Sequence, residues 1–240
     1  MSTNRDVIES FLGTLPLFGG LKRGEIRRLG RGATECAIPR GTVLFRQGDP
    51  CTRLHLISKG QIKIYIQTPH GEEKVIELVG SGGCLGETAL FLDEAYIASA
   101  EAIIDTTLVH LSKEAVLQQL RRGPEFSRNM LRDVCRRLAQ RTHDLEHCLL
   151  FNGTQRVAAF ILNQLPPNGM AGKQAAVTLP TKKSIIASRL NLTQEHFSRI
   201  LRDIQTAGLI EVSGRQIRLV DVARLRNYPR PRERAPRTQK

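Results

Sequence analysis

The chain has 240 residues, a net charge of +13 and 40% hydrophobic residues, enough apolar material for packed cores in about two domains. No apolar run approaches the ~20 residues that span a bilayer, and Met1 to Ser10 lacks the apolar centre of a signal peptide, so the chain reads as cytoplasmic with no membrane partner. Residues 181–240 hold 14 Lys and Arg against five Asp and Glu, a net +9, the electrostatic footprint of a nucleic-acid-binding module, the plainer reading being a solvated basic tail.

From Ala33 to Ser112 short alternating runs are punctuated by glycine, the pattern of strands and tight turns. Ile62, Ile64 and Ile66 alternate with Lys63, Tyr65 and Gln67 as one half-buried strand. Pro69-His70-Gly71 turns the chain, and Val75 to Val79 returns it. Gly41, Gly48, Gly60, Gly71, Gly82 and Gly86 fall at intervals suited to a small β-barrel or roll. Ser112 can cap a short helix ending near Gly123, and Pro124 suits the first turn of a long helix to about Phe151. Within that helix Leu131, Val134, Leu138, Arg141, Leu145 and Cys148 fall at alternating spacings of three and four. This is a heptad-like seam interrupted by Arg141, read either as a dimer seam or as a face on the helix's own core.

Asn152-Gly153-Thr154 breaks the helix and is the best domain boundary. A helix over Gln155 to Leu165, a loop over Pro166 to Gly172 and a short strand over Ala176 to Leu179 follow. Thr181 can cap a helix through Leu190, Asn191-Leu192 makes a turn, and Thr193 caps a second helix to Ala207 with Gly208 after it. Phe197, Ile200, Leu201 and Ile204 form the buried stripe of that second helix, so Gln194, Glu195, Ser198, Arg199 and Arg202 face outward. With Lys182 and Lys183 at the preceding helix, these are the candidate DNA-binding residues of a helix-turn-helix. Ile210 to Val212 and Gln216 to Leu219, joined at Ser213-Gly214, read as a β-hairpin wing. Arg224 to Lys240 reads as a basic, proline-bearing tail.

Arg can pair bidentately with guanine, Glu can accept from cytosine N4, and Ser is adaptable; the plainer reading of the same charges is a solvated helix face. Cys36, Cys51, Cys84, Cys135 and Cys148 show no C-x-x-C pair and read as reduced thiols. Cys84 and Cys135 are the candidates for redox or metal chemistry, set against the commoner role of small core residues. No nucleophile-and-base pair, metal-ligand cluster or phosphate-cradling Lys loop argues for an enzyme, and no aromatic platform accompanies the basic residues as RNA binding would need.

Several motifs, in order, resemble the CRP/FNR family of bacterial transcription regulators. Gly41-Thr42-Val43-Leu44-Phe45-Arg46-Gln47-Gly48-Asp49-Pro50 resembles its β-roll signature, Gly60-Gln61-Ile62-Lys63-Ile64-Tyr65 the next block, and Leu85-Gly86-Glu87-Thr88-Ala89-Leu90-Phe91 its phosphate-binding cassette. Thr193-Gln194-Glu195-His196-Phe197-Ser198-Arg199 resembles the E-x-x-S-R recognition helix of the FNR branch. The resemblance implies an α+β fold: a cyclic-nucleotide-binding-like β-roll sensing an effector (1–123), a long dimerisation helix (124–151), a winged helix-turn-helix (152–229) and a disordered basic tail (230–240). It implies a homodimer with Leu131, Val134, Leu138 and Leu145 at its seam, bound to double-stranded DNA at an inverted TTGAT-like repeat. Arg199 would contact the guanine, Glu195 the opposite strand and Ser198 a thymine, with RNA polymerase as a further partner touched near Pro166 to Lys173. Activation or repression would depend on where the site lies at a promoter.

The effector pocket implied by the resemblance comprises Gly86, Glu87, Thr88, Ala89, Tyr96 and Ile97. Cyclic-nucleotide-binding members hold the cyclic phosphate with an Arg-Ser pair, whereas this chain has Tyr96 and Ile97 there. That removes the charge-assisted bonds a phosphate needs and argues against cyclic AMP, leaving Glu87 a structural hydrogen-bonding role. No cysteine precedes Cys36, which argues against an FNR-type iron–sulfur cluster. Phe45 to Pro50, Thr68-Pro69 and Phe91 to Ala98 are most similar to the dissimilatory nitrate respiration regulators, which implies nitric oxide sensing through haem. His143 and His147, four apart on the long helix, are the candidate axial ligands, against the plainer reading of two solvent-exposed histidines. The remaining alternatives are a cyclic-nucleotide-responsive regulator and one with no small-molecule ligand.

Overall fold

The computed structural model describes residues 4–68, 70–165 and 175–228. The expected polymerase-facing loop and the tail over 230–240 lie outside the described residues, as does Pro69. The chain divides into two compact units between Arg141 and Thr142.

The first unit opens with two helices that the sequence pattern left unassigned, α1 (Asn4–Thr14) and α2 (Arg23–Arg31). Eight strands follow: β1 (Ala33–Ile38), β2 (Val43–Phe45), β3 (Arg53–Lys59), β4 (Gln61–Gln67), β5 (Glu73–Gly80), β6 (Cys84–Leu85), β7 (Ser99–Ala102) and β8 (Thr106–Ser112). They form two four-stranded antiparallel sheets, ordered β1-β8-β3-β6 and β2-β7-β4-β5. A single core of Leu54, Leu56, Ile57, Ile62, Ala100 and Leu108 lies within this roll. Gly60 carries φ 109°, and a Cβ there would collide with Thr106, so only glycine makes this turn without displacing the start of β8.

A short helix, α3 (Glu87–Leu92), interrupts the strands. Helices α4 (Lys113–Arg122) and the 27-residue α5 (Pro124–Leu150) complete the roll. Ser112 caps α4 by accepting from the Ala115 amide. Phe126 stacks on Phe18 with ring centroids 5.6 Å apart, and the Asn129 amide donates to the Gly19 carbonyl at 2.7 Å. These contacts fix the start of α5 against the N-terminal helices.

The expected split of β4 into a buried and an exposed face is not kept: Ile62 is buried, but Tyr65 on the opposite face is buried as well and Ile66 is exposed. The register with β5 shifts opposite Ile64 and Tyr65, where the extra residue is Ile76 of β5, so β4 itself keeps alternating. Lys63 is buried too, between Glu73 and Glu101 and 4.5 Å from the Tyr65 ring centroid.

The second unit contains α6 (Gly153–Leu162), β9 (Ala175–Thr178), α7 (Lys183–Arg189), α8 (Gln194–Thr206), β10 (Ile210–Ser213), β11 (Gln216–Leu219) and α9 (Val222–Arg226). Asn152, read as a helix breaker, is the N-cap of α6 in a capping box with Gln155. Its side chain supplies an acceptor to the orphaned N–H groups, so the helix starts two residues earlier than expected. The N-cap of α7 is Lys182, not Thr181, and makes no side-chain cap bond; Thr181 is buried. Arg224 to Arg226 lie in α9 rather than in a tail, because Asp221 caps that helix and Val222 and Leu225 enter the core. The strand order is β10-β11-β9. Among the described residues no helix is long and apolar enough to cross a membrane.

Candidate functional site

Two sites are built, one in each unit. In the second unit, α7 ends at Leu190 and Asn191 takes φ 57°, a left-handed conformation that Asn tolerates better than most residues. The chain thereby turns within three residues to Thr193, whose hydroxyl accepts from the His196 amide at 3.2 Å and starts α8. Gly208, at φ 69°, ends it. Arg156 of α6 reaches this turn, donating to the Phe151 carbonyl at 2.9 Å and the Asn191 carbonyl at 3.5 Å.

Phe197, Ile200, Leu201 and Ile204 are fully or almost fully buried. Gln194, Glu195, Arg199 and Arg202 are exposed on the other face, with Ser198 half-buried between them. Lys182 is exposed and Lys183 half-buried at the start of α7. The structure therefore brings Glu195, Ser198 and Arg199 together on the first turns of one exposed helix, the segment that faces base edges in a helix-turn-helix. Not every cation joins them. Arg215 donates twice to the Leu179 carbonyl, at 3.0 and 2.7 Å, and Arg218 forms a bidentate pair with Glu211 across the hairpin. Those two arginines hold the wing together.

In the first unit a cavity of about 440 Å³ opens between the roll and α5. All six expected effector-pocket residues, Gly86, Glu87, Thr88, Ala89, Tyr96 and Ile97, line it, and so do Val134 and Leu138 of the expected dimer seam. Gly86, at φ 92°, begins α3; a Cβ there would meet the Arg53 carbonyl, Tyr96 and His55 at 3.1–3.5 Å. Tyr96 lies flat on Phe45, with ring centroids 3.7 Å apart and planes 7° from parallel. Its hydroxyl meets His55 Nε2 at 3.0 Å, while His55 Nδ1 meets His110 Nδ1 at 2.7 Å. Burial, then the neighbouring His110 and Arg53, press the His55 pKa down to about 3; burial lowers that of His110 too. Both rings are neutral, with one donating to the other.

Glu87 is engaged by the long helix. Arg137 Nη1 donates to its Oε1 at 2.7 Å, and Arg137 Nε donates to Asp133 at 3.1 Å. Arg141 pairs with Glu77 of β5, which explains why a cation interrupts the heptad-like seam. Burial raises the Glu87 pKa against the pull of Arg137, and the second carboxylate oxygen, Oε2, is buried with no hydrogen-bond partner. Spacing offered no sign of the Arg137–Glu87 and His55–His110 pairs, whose members are 50 and 55 residues apart. Arg141 was the one visible clue.

The remaining expected residues are placed as follows. Leu131, Leu138 and Leu145 are 65%, 67% and 58% exposed along α5, and Val134 is 38% exposed. His143 meets Glu146 at 3.4 Å, and His147 stacks on Phe151 at 4.5 Å. Cys84 is buried, and burial followed by Glu87 pushes its thiol well above the ordinary range, which removes the thiolate that redox or metal chemistry requires. Cys135 and Cys148 are exposed. Among the described residues no three His, Cys, Asp or Glu side chains converge as a metal site.

The cavity walls do not fit a cyclic nucleotide well. The Tyr96 hydroxyl is tied to His55, Ile97 offers no donor, and both arginines are already paired with carboxylates. They do not fit haem either, because the lining includes no His, Cys or Met as an axial ligand among the described residues and its tyrosine hydroxyl is engaged.

Residues 35–122 match the cyclic nucleotide-binding domain and residues 155–228 the Crp-like helix-turn-helix domain. The chain is 26% identical over 219 residues to the CRP-like cAMP-activated global transcriptional regulator of Mycobacterium tuberculosis, covering 91% of this chain and 98% of that one. It is 30% identical over 191 residues to electron transport regulator A of Shewanella oneidensis, covering 77% and 74%. It is 30% identical to the crystal structure of DNR from Pseudomonas aeruginosa, with a TM-score of 0.50 over 94% of this chain and 98% of that one.

Proposed function

The chain belongs to the CRP/FNR family of transcriptional regulators, and from that premise we propose that it binds, as a homodimer, an inverted TTGAT-like repeat in double-stranded DNA. The observation that carries this reading is the grouping of Glu195, Ser198 and Arg199 on the exposed first turns of α8. Arg199 reads the guanine, Glu195 the opposite strand and Ser198 a thymine methyl or carbonyl edge. Lys182, Lys183, Gln194, Thr193 and Arg202 contact the flanking backbone, where cations and short polar groups fix register. The E-x-x-S-R spacing favours the FNR branch, and the 30% likenesses to electron transport regulator A and DNR support it.

In this reading the exposed leucines of α5 close the dimer, and the cavity of the first unit receives the signal. That cavity touches α5 through Val134, Arg137 and Leu138, so an occupant contacts the helix that also carries the seam. The signal is read as something other than cyclic AMP. Nitric oxide sensing through haem has the likeness to DNR behind it, but no axial ligand in the cavity walls. An optical spectrum of haem-reconstituted protein that fails to shift on adding nitric oxide removes it. Contact with RNA polymerase is part of the same proposal.

Electrophoretic competition tests the function. An inverted TTGAT repeat is expected to displace labelled repeat DNA at far lower concentration than a scrambled duplex or an RNA of equal length. Equal displacement by RNA would overturn the assignment.

A further inference from the structure

We propose that the arginine face formed by α2 and the end of α4 is a second contact surface for double-stranded DNA, holding backbone phosphates outside the repeat without regard to sequence. The inference rests on reading the chain as a DNA-binding regulator and adds a surface in the first unit that α8 does not supply.

Four observations carry it. First, Arg23, Arg27 and Arg31 follow one another at four-residue spacing along α2. Each step rises ~6 Å and slightly exceeds a full turn, so the three form one row on the face opposite the buried Leu29. Second, that row is weakly neutralised. Arg27 approaches Glu9 only to 3.8 Å, and the exposed Arg23 and Arg31 make no side-chain hydrogen bond or ion pair among the described residues. Glu25, the one acid of α2, is engaged elsewhere: its two oxygens accept from the Lys22 amide and the Gln119 side chain, each at 2.8 Å. Like charges four residues apart weaken a helix, a cost that an anionic partner removes. Third, α4 enlarges the face. The Gln119–Glu25 bond holds α4 to α2, and Arg122 shares with Arg28 a hollow of about 40 Å³. That is far below the ~300 Å³ of a small-molecule site, so the surface suits phosphates met one by one along a backbone rather than an enclosed ligand. Fourth, the row and the hollow present arginine, whose planar fork matches phosphate oxygens in pairs. Among the described residues neither α2 nor α4 carries an exposed large apolar side chain. A protein partner calls for an apolar centre to the patch, whereas a phosphodiester backbone needs only charge.

The test compares a short duplex holding only the repeat with a long one carrying it between flanks of several helical turns. Wild-type full chain should bind the long duplex about tenfold or more tightly at low salt, with a steeper fall of log affinity against log salt. The combined variant Arg23→Gln, Arg31→Gln, Arg122→Gln should lose that advantage. Its slope on the long duplex should flatten by about 0.9 for each phosphate contact removed, while its binding to the short duplex stays as in wild type. Because like charges are relieved, its melting temperature should hold or rise; should it melt early, Arg31→Gln alone must show the same change in smaller measure. An unchanged slope on the long duplex, or equal weakening on both duplexes as mere loss of net charge would give, would overturn the proposal. So would fluorescent poly-L-glutamate that binds wild type and not the variant while both duplexes are unaffected, which assigns the face to an acidic protein. A scrambled long duplex separates the two readings. Wild type that fails to prefer the repeat over it refutes repeat reading by α8, while the variant's loss on that same duplex still decides the arginine face.

Discussion

Arg199 illustrates how little a single side chain needs to change for a helix to become a reader. It sits on a face set by Phe197, Ile200 and Leu201 packing beneath it; the apolar spacing gives that outward position, and the resemblance to E-x-x-S-R gives its guanine. Arg199→Ala is expected to cost about 1–3 kcal/mol at the guanine position and to relax selectivity there; equal loss on specific and scrambled duplexes in a binding titration would contradict the assignment. The His55–Tyr96–His110 cluster was not legible in the same way, because its members come from three strands or loops far apart in sequence. It carries a pH consequence. With a folded pKa of about 3 against an ordinary value near 6.5, His55 binds fewer protons folded than unfolded. Its contribution is intact above about pH 6.5 and is lost progressively as pH falls towards 3. Urea denaturation should show roughly 2 kcal/mol less stability at pH 5 than at pH 7 from this group. That difference should shrink in His55→Gln, and a slope unchanged by the substitution would rule out the cluster as its source.

At the scale of elements, α8 was legible because three signals agree: a cap at Thr193, a 3.6-residue apolar stripe and a glycine at its end. Thr193→Ala is accordingly expected to cost about 1 kcal/mol in thermal or chemical unfolding; no change would mean that the cap contributes nothing. By contrast, the burial of β4 was misread at Lys63, Tyr65 and Ile66, because alternation marks the two faces of a strand but not what covers them. Helix α2 was missed since its short, Arg- and Gly-rich sequence buries little beyond Leu29 and Gly30. Helix α5 was legible in length but not in its dual role. Arg141 breaks the seam to meet Glu77, and Val134 and Leu138 face the cavity. Its dimer role is tested at Leu145, away from the cavity. Leu145→Glu acts on both copies, and at about 1.5–3 kcal/mol per buried Leu it should weaken self-association at least about 100-fold in sedimentation equilibrium. An unchanged association constant would contradict a seam there.

For the whole molecule, the order of motifs along the chain conveyed the architecture, while the chemistry of the signal had to wait for the cavity. Replacing the expected phosphate ligands by Tyr96 and Ile97 argued against one effector without naming another. The apolar walls and the paired arginines point the same way. The central claim is that two copies read two half-sites through α8. It is tested most directly by anisotropy titration of an inverted TTGAT repeat, a scrambled duplex of equal composition, and a repeat with one half-site moved by about half a helical turn. At one fixed salt concentration the intact repeat should bind about 10³-fold or more tightly than the scrambled duplex, and the shifted repeat should lose most of that advantage. Equal affinity for all three duplexes would contradict the account.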